Sequence, residues 1–412
     1  MNTMPTPPLP ASPGSRPGRN VETAAAPAKT TGTRAGCRLD VRESDRATFT
    51  EFHITAFVEG AGTTPDEVLG QVAALMASRR VQPIQEKLYG RTALRTDVLQ
   101  RRQIAYRRHG LATDTPVTWI EGLPLQGGDF VGIQVWGVAP HSGETCVWNV
   151  ENPATGCGRL WTGHGFQMLY LPAVRGTLRD GTLPAGHTAQ AQQMFTNVGQ
   201  GLQAHGMEYR DVTRTWIYVS RLLEWYGELN RVRTAHYTPA GLGVPGGPAF
   251  PASTGIQGRM ADEECLVDVL ALKSDGPFQA AAEAIRCSPR QDQSFNYGSA
   301  FSRGMTFKIE GRKTVHISGT ASINTAGDST HIGDAECQSL ETLMSIAAIL
   351  EAQGGTLRNI TSATLFCKDH AAWEAWNRVT RLLQVPFFPK ICVLADVCRD
   401  NLLVEMESVA VI

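Results

Sequence analysis

The sequence predicts an α/β chain of the α+β type: two tandem copies of one αβ unit, each a mixed sheet with two helices on one face, and the two sheets packed together. Three observations carry this reading. The chain repeats itself at an offset of 148 residues. Each copy runs strands, helix, strand, helix, strand, strand, the order that lays two helices on one sheet face. The last stretch alternates with a period of two, so Val404, Met406 and Ala410 share one face while Leu403, Glu405, Glu407 and Val409 share the other. Two acids on one face, flanked by Leu403 and Val409, would be costly against a dry core, and so point to a polar cavity.

Taken in order, residues 1–37 are rich in Pro, Ala, Thr, Gly and Ser and predict a disordered tail. Residues 38–273 are expected to hold an N-terminal extension and then the first copy, at about 155–273. The extension offers one amphipathic helix, near 65–78, short strand-like runs such as Phe130 to Val138, and no catalytic motif. Gln190 to Gly206 and Gln338 to Gly354 each read as a helix closed by glycine. Aligning those glycines places Asp211-Val212 on Asn359-Ile360, the strand Trp216 to Val219 on Thr364 to Cys367, and Trp225 on Trp373. Further on, Cys265-Leu-Val-Asp-Val matches Leu402-Leu-Val-Glu-Met, which equates Asp268 with Glu405. The polar stretch 274–292, with Gly276-Pro277 and Ser288-Pro289, reads as a linker, and 293–412 as the second copy and the catalytic one.

Composition narrows the function. With 38 basic and 39 acidic residues, electrostatics suggests neither nucleic acid nor a membrane surface as a partner. No apolar run reaches the roughly 18 residues of a membrane span, and a signal peptide is not evident, so a cytoplasmic protein is expected. The nine cysteines form no Cys-x-x-Cys pair, and no His stands at metal-ligand spacing, so no metal and no other cofactor is expected.

Phe301-Ser-Arg-Gly304, Val315-His-Ile-Ser-Gly-Thr-Ala-Ser322, the glycine-terminated helix, Asn377, Pro389-Lys-Ile-Cys392 and Val404-Glu-Met-Glu407 together resemble the landmarks of the YjgF/Rid-like family. A tandem of two such domains behind an N-terminal extension is similar to the chorismatases, which release pyruvate from chorismate. The resemblance implies chorismate as the small-molecule substrate, with Glu405 as the acid that protonates its enol ether. A second carboxylate at Glu407 and an apolar surround would keep Glu405 protonated. Rid-type imine deaminases carry an arginine fifteen residues before their glutamate; here that position is Lys390, and Ser253 in the first copy. Candidates for binding the dianion are Arg303, Arg259, Lys390 and the Thr254-Gly255 backbone, with Tyr237 and Arg233 closing the crevice. Gly304 and Cys398 resemble the hydroxybenzoate-forming branch, the 3-hydroxybenzoate synthases. The hairpin predicted around Arg399 to Asn401 would bring Cys398 back toward Glu405. A hydrolytic chorismatase, an imine deaminase and a silent binding module are the alternatives. A monomer with pseudo-symmetric pairing of its domains is expected.

Overall fold

The computed structural model describes residues 27–34, 36–59, 62–125, 128–141, 143, 145–244, 246–258, 263–274 and 281–412. The αβ unit occurs three times in it. Unit one contains β1 (Ala28–Arg34), β2 (Cys37–Asp45), β3 (Phe49–Val58), α1 (Pro65–Arg79), β4 (Gln82–Gly90), α2 (Arg95–Arg108), β5 (Thr118–Glu121), the two-residue β6 (Leu123–Pro124) and β7 (Phe130–Pro140). Unit two contains β8 (Cys146–Asn152), β9 (Gly156–Gly163), β10 (Phe166–Arg175), α3 (His187–Ala204), β11 (Val212–Val219), α4 (Leu222–Tyr237), β12 (Ala252–Gln257) and β13 (Cys265–Ser274). Unit three contains β14 (Ala281–Ile285), β15 (Gly304–Ile309), β16 (Arg312–Ala321), α5 (Ala335–Ala352), β17 (Ile360–Cys367), α6 (His370–Leu382), β18 (Lys390–Leu394) and β19 (Val404–Val411).

The three sheets share one topology. Their orders are β1-β2-β3-β7-β4-β5, β8-β9-β10-β13-β11-β12 and β14-β15-β16-β19-β17-β18, and β6 crosses over to extend the third beyond β18. In each, the last long strand lies between the third strand and the one that follows the first helix. A register irregularity recurs at one place: between Pro83 and Gln85 on β4, Val212 and Arg214 on β11, and Ile360 and Ser362 on β17. That bulge fixes the alignment of the units. Tyr89, Tyr218 and Phe366 are equivalent, and opposite them stand Gly132, Leu266 and Glu405. Two residues further along, Gln134, Asp268 and Glu407 are equivalent.

Local sequence explains the helices that cover the outer faces. Thr64 and Glu67 form a capping box at the start of α1, with Pro65 in the first turn, and the side chains of Asp334 and Asp369 cap α5 and α6. Each helix pair seals its own apolar layer, and α6, for instance, buries Ala372, Ala375, Trp376 and Val379. The inner faces of all three sheets meet in one common core that includes Trp136, Trp161, Tyr170, Trp216, Phe307 and Phe366.

Three sequence expectations change. The extension is a complete first unit rather than an irregular addition. The disordered tail expected over 1–37 falls on residues 1–26 outside the described residues, whereas Ala28–Arg34 pair with β2 from Ala28↔Glu43 to Arg34↔Cys37. Ladder hydrogen bonds hold such an edge strand without any apolar side chain to bury. The linker 274–292 is partly strand: β14 pairs with β15, so unit three begins before residue 293.

Candidate active site

Units two and three leave a cleft walled by α4 and β12 on one side and β19 on the other, and units three and one leave another, walled by α6 and β18 and by β7. At the equivalent register position the last strands of the units present Leu266, Glu405 and Gly132. A carboxyl therefore stands at this position only in the cleft between units two and three. Here α4 contributes Tyr226 and Arg233, which lie seven residues, about two helical turns, apart and so share a face. β12 adds Ser253 and Gly255, and unit three adds Tyr297, Arg303, Gly319, Cys398, Arg399 and Glu405. The inner chamber is about 40 Å³. It shares Tyr226, Tyr297, Cys398 and Arg399 with an outer hollow of about 660 Å³.

Glu405 is 4% exposed. Its carboxyl is seated by a bulge between Ile317 and Thr320 on β16, which faces β19. Within that bulge, a Cβ on Gly319 would overlap Glu405 Oε1 and lie 3.2 Å from Thr254 Cγ2, so only glycine leaves room for the acid. Thr254 Oγ1 accepts from Gly319 N at 3.0 Å and from Arg214 Nη2 at 2.6 Å, joining the two units behind the carboxyl. Burial, reinforced by the nearby Glu407 charge and opposed by Arg214, pushes the Glu405 carboxyl up to about 8. It holds its proton at neutral pH.

Around this acid stand three guanidinium groups. Arg233 donates from Nη1 to Ser253 Oγ at 3.3 Å and from Nη2 to Asn230 Oδ1 at 2.6 Å, and its buried Nε has no partner among the described residues. Arg303 is held by the Asp292 carbonyl, at 2.9 Å from Nε and 2.7 Å from Nη2, and by the Tyr297 hydroxyl at 2.5 Å. Arg399 Nη1 donates to Gly327 O at 2.7 Å, with its guanidinium 5.7 Å above the Tyr297 ring. Ser253 N donates to Ser318 Oγ at 2.9 Å and Gln257 N to Asp396 O at 3.1 Å, both away from their own sheet. Strand alternation therefore aims Gly255 N–H into the chamber. Three fixed cations and a backbone donor around one neutral acid make a site for a substrate of more than one negative charge. Burial, with a smaller contribution from Glu405 and opposition from Arg399, pushes the Cys398 thiol up to about 12, so it stays a thiol at neutral pH.

Of the residues singled out from sequence, Glu405, Cys398, Arg303 and Gly255 come together here, and Thr254 supports them through its side chain rather than its backbone. Three do not line the chamber as expected. Gly304 opens β15 with its missing Cβ aimed at His316 O, 2.8 Å away, and Ile285 Cδ1, 3.3 Å away, so it gives a ligand no room. Tyr237 packs with Leu242, Phe250 and Ala300, and Tyr226, three turns earlier on α4, takes the place intended for it. Lys390 faces the cleft between units three and one, because β18 and β19 lie on opposite sides of β17 and border different clefts. Arg259 lies outside the described residues. Cys398 also reaches Glu405 by a route other than a hairpin, in the connection that crosses β17 to join β18 and β19. Tyr226, Tyr297, Gly319 and Arg399 were missed; the adjacency of Arg399 to Cys398 and the seven-residue spacing of Tyr226 and Arg233 were signals available for two of them.

The family model for endoribonuclease L-PSP matches residues 299–412. The 3-aminoacrylate deaminase RutC of Acinetobacter baylyi (strain ATCC 33305 / BD413 / ADP1) is 32% identical over 101 residues, 23% of this chain and 77% of RutC. A crystal structure of a chorismatase shares the fold over 89% of this chain and 100% of its own, with a TM-score of 0.59 at 16% identity. The YjgF gene product of E. coli is 25% identical over 24% of this chain and 80% of its own, with a TM-score of 0.21. With 77% of RutC matched at that identity and the family model covering residues 299–412, the chain belongs to the endoribonuclease L-PSP family, the YjgF/Rid proteins.

Proposed function

We propose that the protein is a chorismatase of the hydroxybenzoate-forming type. The observation that carries this reading is a buried, proton-bearing carboxyl ringed by three arginines in the cleft between units two and three. Chorismate carries two carboxylates and an enol ether, and its side chain leaves only after a proton reaches the terminal methylene carbon. Glu405 supplies that proton, and the resulting oxocarbenium spreads positive charge that the ionised Glu405 then faces. Arg233, Arg303, Arg399 and Gly255 N–H grip the carboxylates and orient the enol ether. Capture of the oxocarbenium by the neighbouring ring hydroxyl gives a cyclic ketal. Cleavage of the ring C–O bond at that hydroxyl's carbon, with loss of the proton from the adjacent ether-bearing carbon, aromatises the ring. Collapse of the resulting hemiketal, which breaks its C–O bond to the phenol oxygen, yields pyruvate and 3-hydroxybenzoate, with 4-hydroxybenzoate as a side product when the other ring C–O bond breaks. These products sum to the atoms of chorismate, so no water is consumed. Capture by water would instead give a dihydroxy-cyclohexadiene carboxylate. The reaction as written uses no metal and no organic cofactor.

The similarity to RutC favours a second reading, deamination of an imine or enamine acid. Against it, the cleft holding Glu405 carries Ser253 where the resemblance to imine deaminases would require an arginine. Incubation of the purified protein with chorismate, followed by mass spectrometry, decides between them. Pyruvate with an aromatic acid is the expected outcome. Unchanged chorismate, with ammonia released from 2-aminoacrylate-type substrates, would transfer the site to the deaminase reading.

A further inference from the structure

Apart from the clefts, the three units enclose a pocket on the axis that relates them. Its lining takes equivalent residues from every unit: Gln85, Arg214 and Ser362 at the recurring register irregularity, and Lys87, Trp216 and Thr364 two residues further along. Gln85, Ser362 and Val409 are half-buried and form the mouth, whereas Lys87 and Arg214 are 3% and 2% exposed and lie deeper. The space is about 30 Å³. One water needs about 10–15 Å³. The pocket therefore suits a particle somewhat larger than a water and is too small for phosphate or an organic acid.

Donors in this pocket outnumber their acceptors. Lys87 Nζ makes no hydrogen bond among the described residues: Glu407 Oε1 is 3.9 Å away, beyond hydrogen-bond reach, and the centre of the Trp216 ring stands at the same 3.9 Å. Burial, opposed by Glu407, pulls this ammonium down to about 8, so it keeps its charge at neutral pH. Arg214 spends Nη2 on Thr254 and Glu407, and its buried Nη1 has no partner among the described residues. Ser362 Oγ accepts from Gln134 Nε2 at 3.1 Å, and its own hydroxyl proton has no acceptor among the described residues. Lys87 and Arg214 face one lining carboxylate, Glu407, so positive charge is in excess. Asp268, the other acid that Lys87 feels, does not line the pocket and is already filled by Thr118, Tyr170 and the Ala173 amide. Buried cationic donors without acceptors are costly, and a small anion relieves that cost more fully than a neutral water does.

We propose that the axial pocket is a halide site, which holds one chloride ion between Lys87, Arg214 and Ser362. The assignment is independent of the reaction at Glu405. Crystals of the full-length protein grown in sodium bromide, measured at the bromine absorption edge, locate the ion, and broadening of the chloride NMR signal by the protein gives its affinity in solution. An anomalous peak beside Lys87 Nζ and Arg214 Nη1 is expected, with broadening that saturates at millimolar chloride. Lys87→Met should weaken this site by roughly tenfold or more, the usual effect of deleting a charge-assisted hydrogen bond. Ser362→Ala, a mild change at the mouth that leaves every ion pair in place, should weaken it by about two- to tenfold, the scale of a neutral hydrogen bond. The bromide peak and Ser362→Ala keep the test decisive if Lys87→Met fails to fold. Arg303→Met, in the Glu405 cleft, should leave the site intact. The proposal is overturned if the pocket holds only water in bromide-grown crystals, if bromide sits there but no saturable chloride site exists in solution, or if Ser362→Ala and Lys87→Met bind as wild type does. Loss of the saturable site in Arg303→Met would place the chloride in the Glu405 cleft and equally overturn it. Because binding is read directly, absence of chorismate turnover would count against the function proposed for Glu405 and leave this result standing.

Discussion

Glu405 combines burial, a neighbouring like charge and a strand position against a glycine, and each leads to a measurable consequence. Glu405→Gln keeps the shape but cannot deliver a proton, so turnover of chorismate should fall by about 10²–10⁴-fold with binding largely retained. Stopped assays of pyruvate release, beside calorimetric binding, separate the two. Because the carboxyl must be protonated to act, kcat should fall as pH rises through about 8. Stability follows the same proton. Folding raises this carboxyl above its ordinary value of 4.5, so the native state binds more protons than the unfolded state between that value and about 8. Its contribution is complete below the lower value and is lost as pH rises through the upper one. Thermal unfolding followed over this range should show a decline that Glu405→Gln flattens. Cys398, held as a thiol beside the same carboxyl, suits proton transfer on the ring better than nucleophilic attack. Cys398→Ala should preserve pyruvate release, lower hydroxybenzoate and let the hydrated diene appear. Chromatography against standards reads this, and an unchanged product profile would reduce the thiol to packing.

At the scale of the element, the β16 bulge decides how the acid is presented. A bulge at the same place in β10, between Leu171 and Val174, puts Ala173 where β16 has Gly319, and there Ala173 N donates to Asp268 Oδ1 at 2.8 Å. The bulge is therefore shared by units two and three, while β3 and β7 of unit one pair without it, and the glycine belongs to the site. Gly319→Ala should fold but drive the Glu405 carboxyl out of place, cutting turnover of chorismate while far-UV circular dichroism stays unchanged. The alternation of β19 was legible in sequence, and both acids do lie on the inner face. Their partners in the other copy were not. Equating Asp268 with Glu405 is a slip of two residues; the strand pairings put Asp268 opposite Trp216 and Glu407 opposite the equivalent Thr364. A slip of two keeps every side chain on its face, so the inward-outward pattern cannot detect it, and chemical likeness between two acids makes it attractive. Gly304 and Gly319 illustrate the same limit, since sequence shows a glycine but not which way its absent Cβ would point.

At the scale of the molecule, the first unit escaped sequence reading because its inner face carries different residues at the equivalent positions: Lys87 for Trp216 and Thr364, Gln134 for Asp268 and Glu407, Gly132 for Glu405. Topology survived where side-chain chemistry diverged, so no offset of matching residues remained to be found. Those divergent residues now hold the units together. Glu407 of unit three accepts from Arg214 of unit two at 2.7 Å and lies 3.9 Å from Lys87 Nζ of unit one. Lys87 is also 3.9 Å from the Trp216 ring centre, and Asp268 nearby accepts from Thr118 and Tyr170 at 2.7 Å each. A buried ion cluster drawn from all three units is costly to break from one side, because the remaining charge has no water to return to. Arg214→Met should therefore destabilise the protein by about 3–5 kcal/mol, read from the urea midpoint. Arg214 is also the cation that opposes the upward shift of Glu405, so its loss should move the alkaline limb of kcat to higher pH. A purely structural role would lower stability and leave that limb in place. A movement of both quantities in Arg214→Met would mean that one arginine at the meeting point of the units sets how firmly they hold and how readily Glu405 yields its proton.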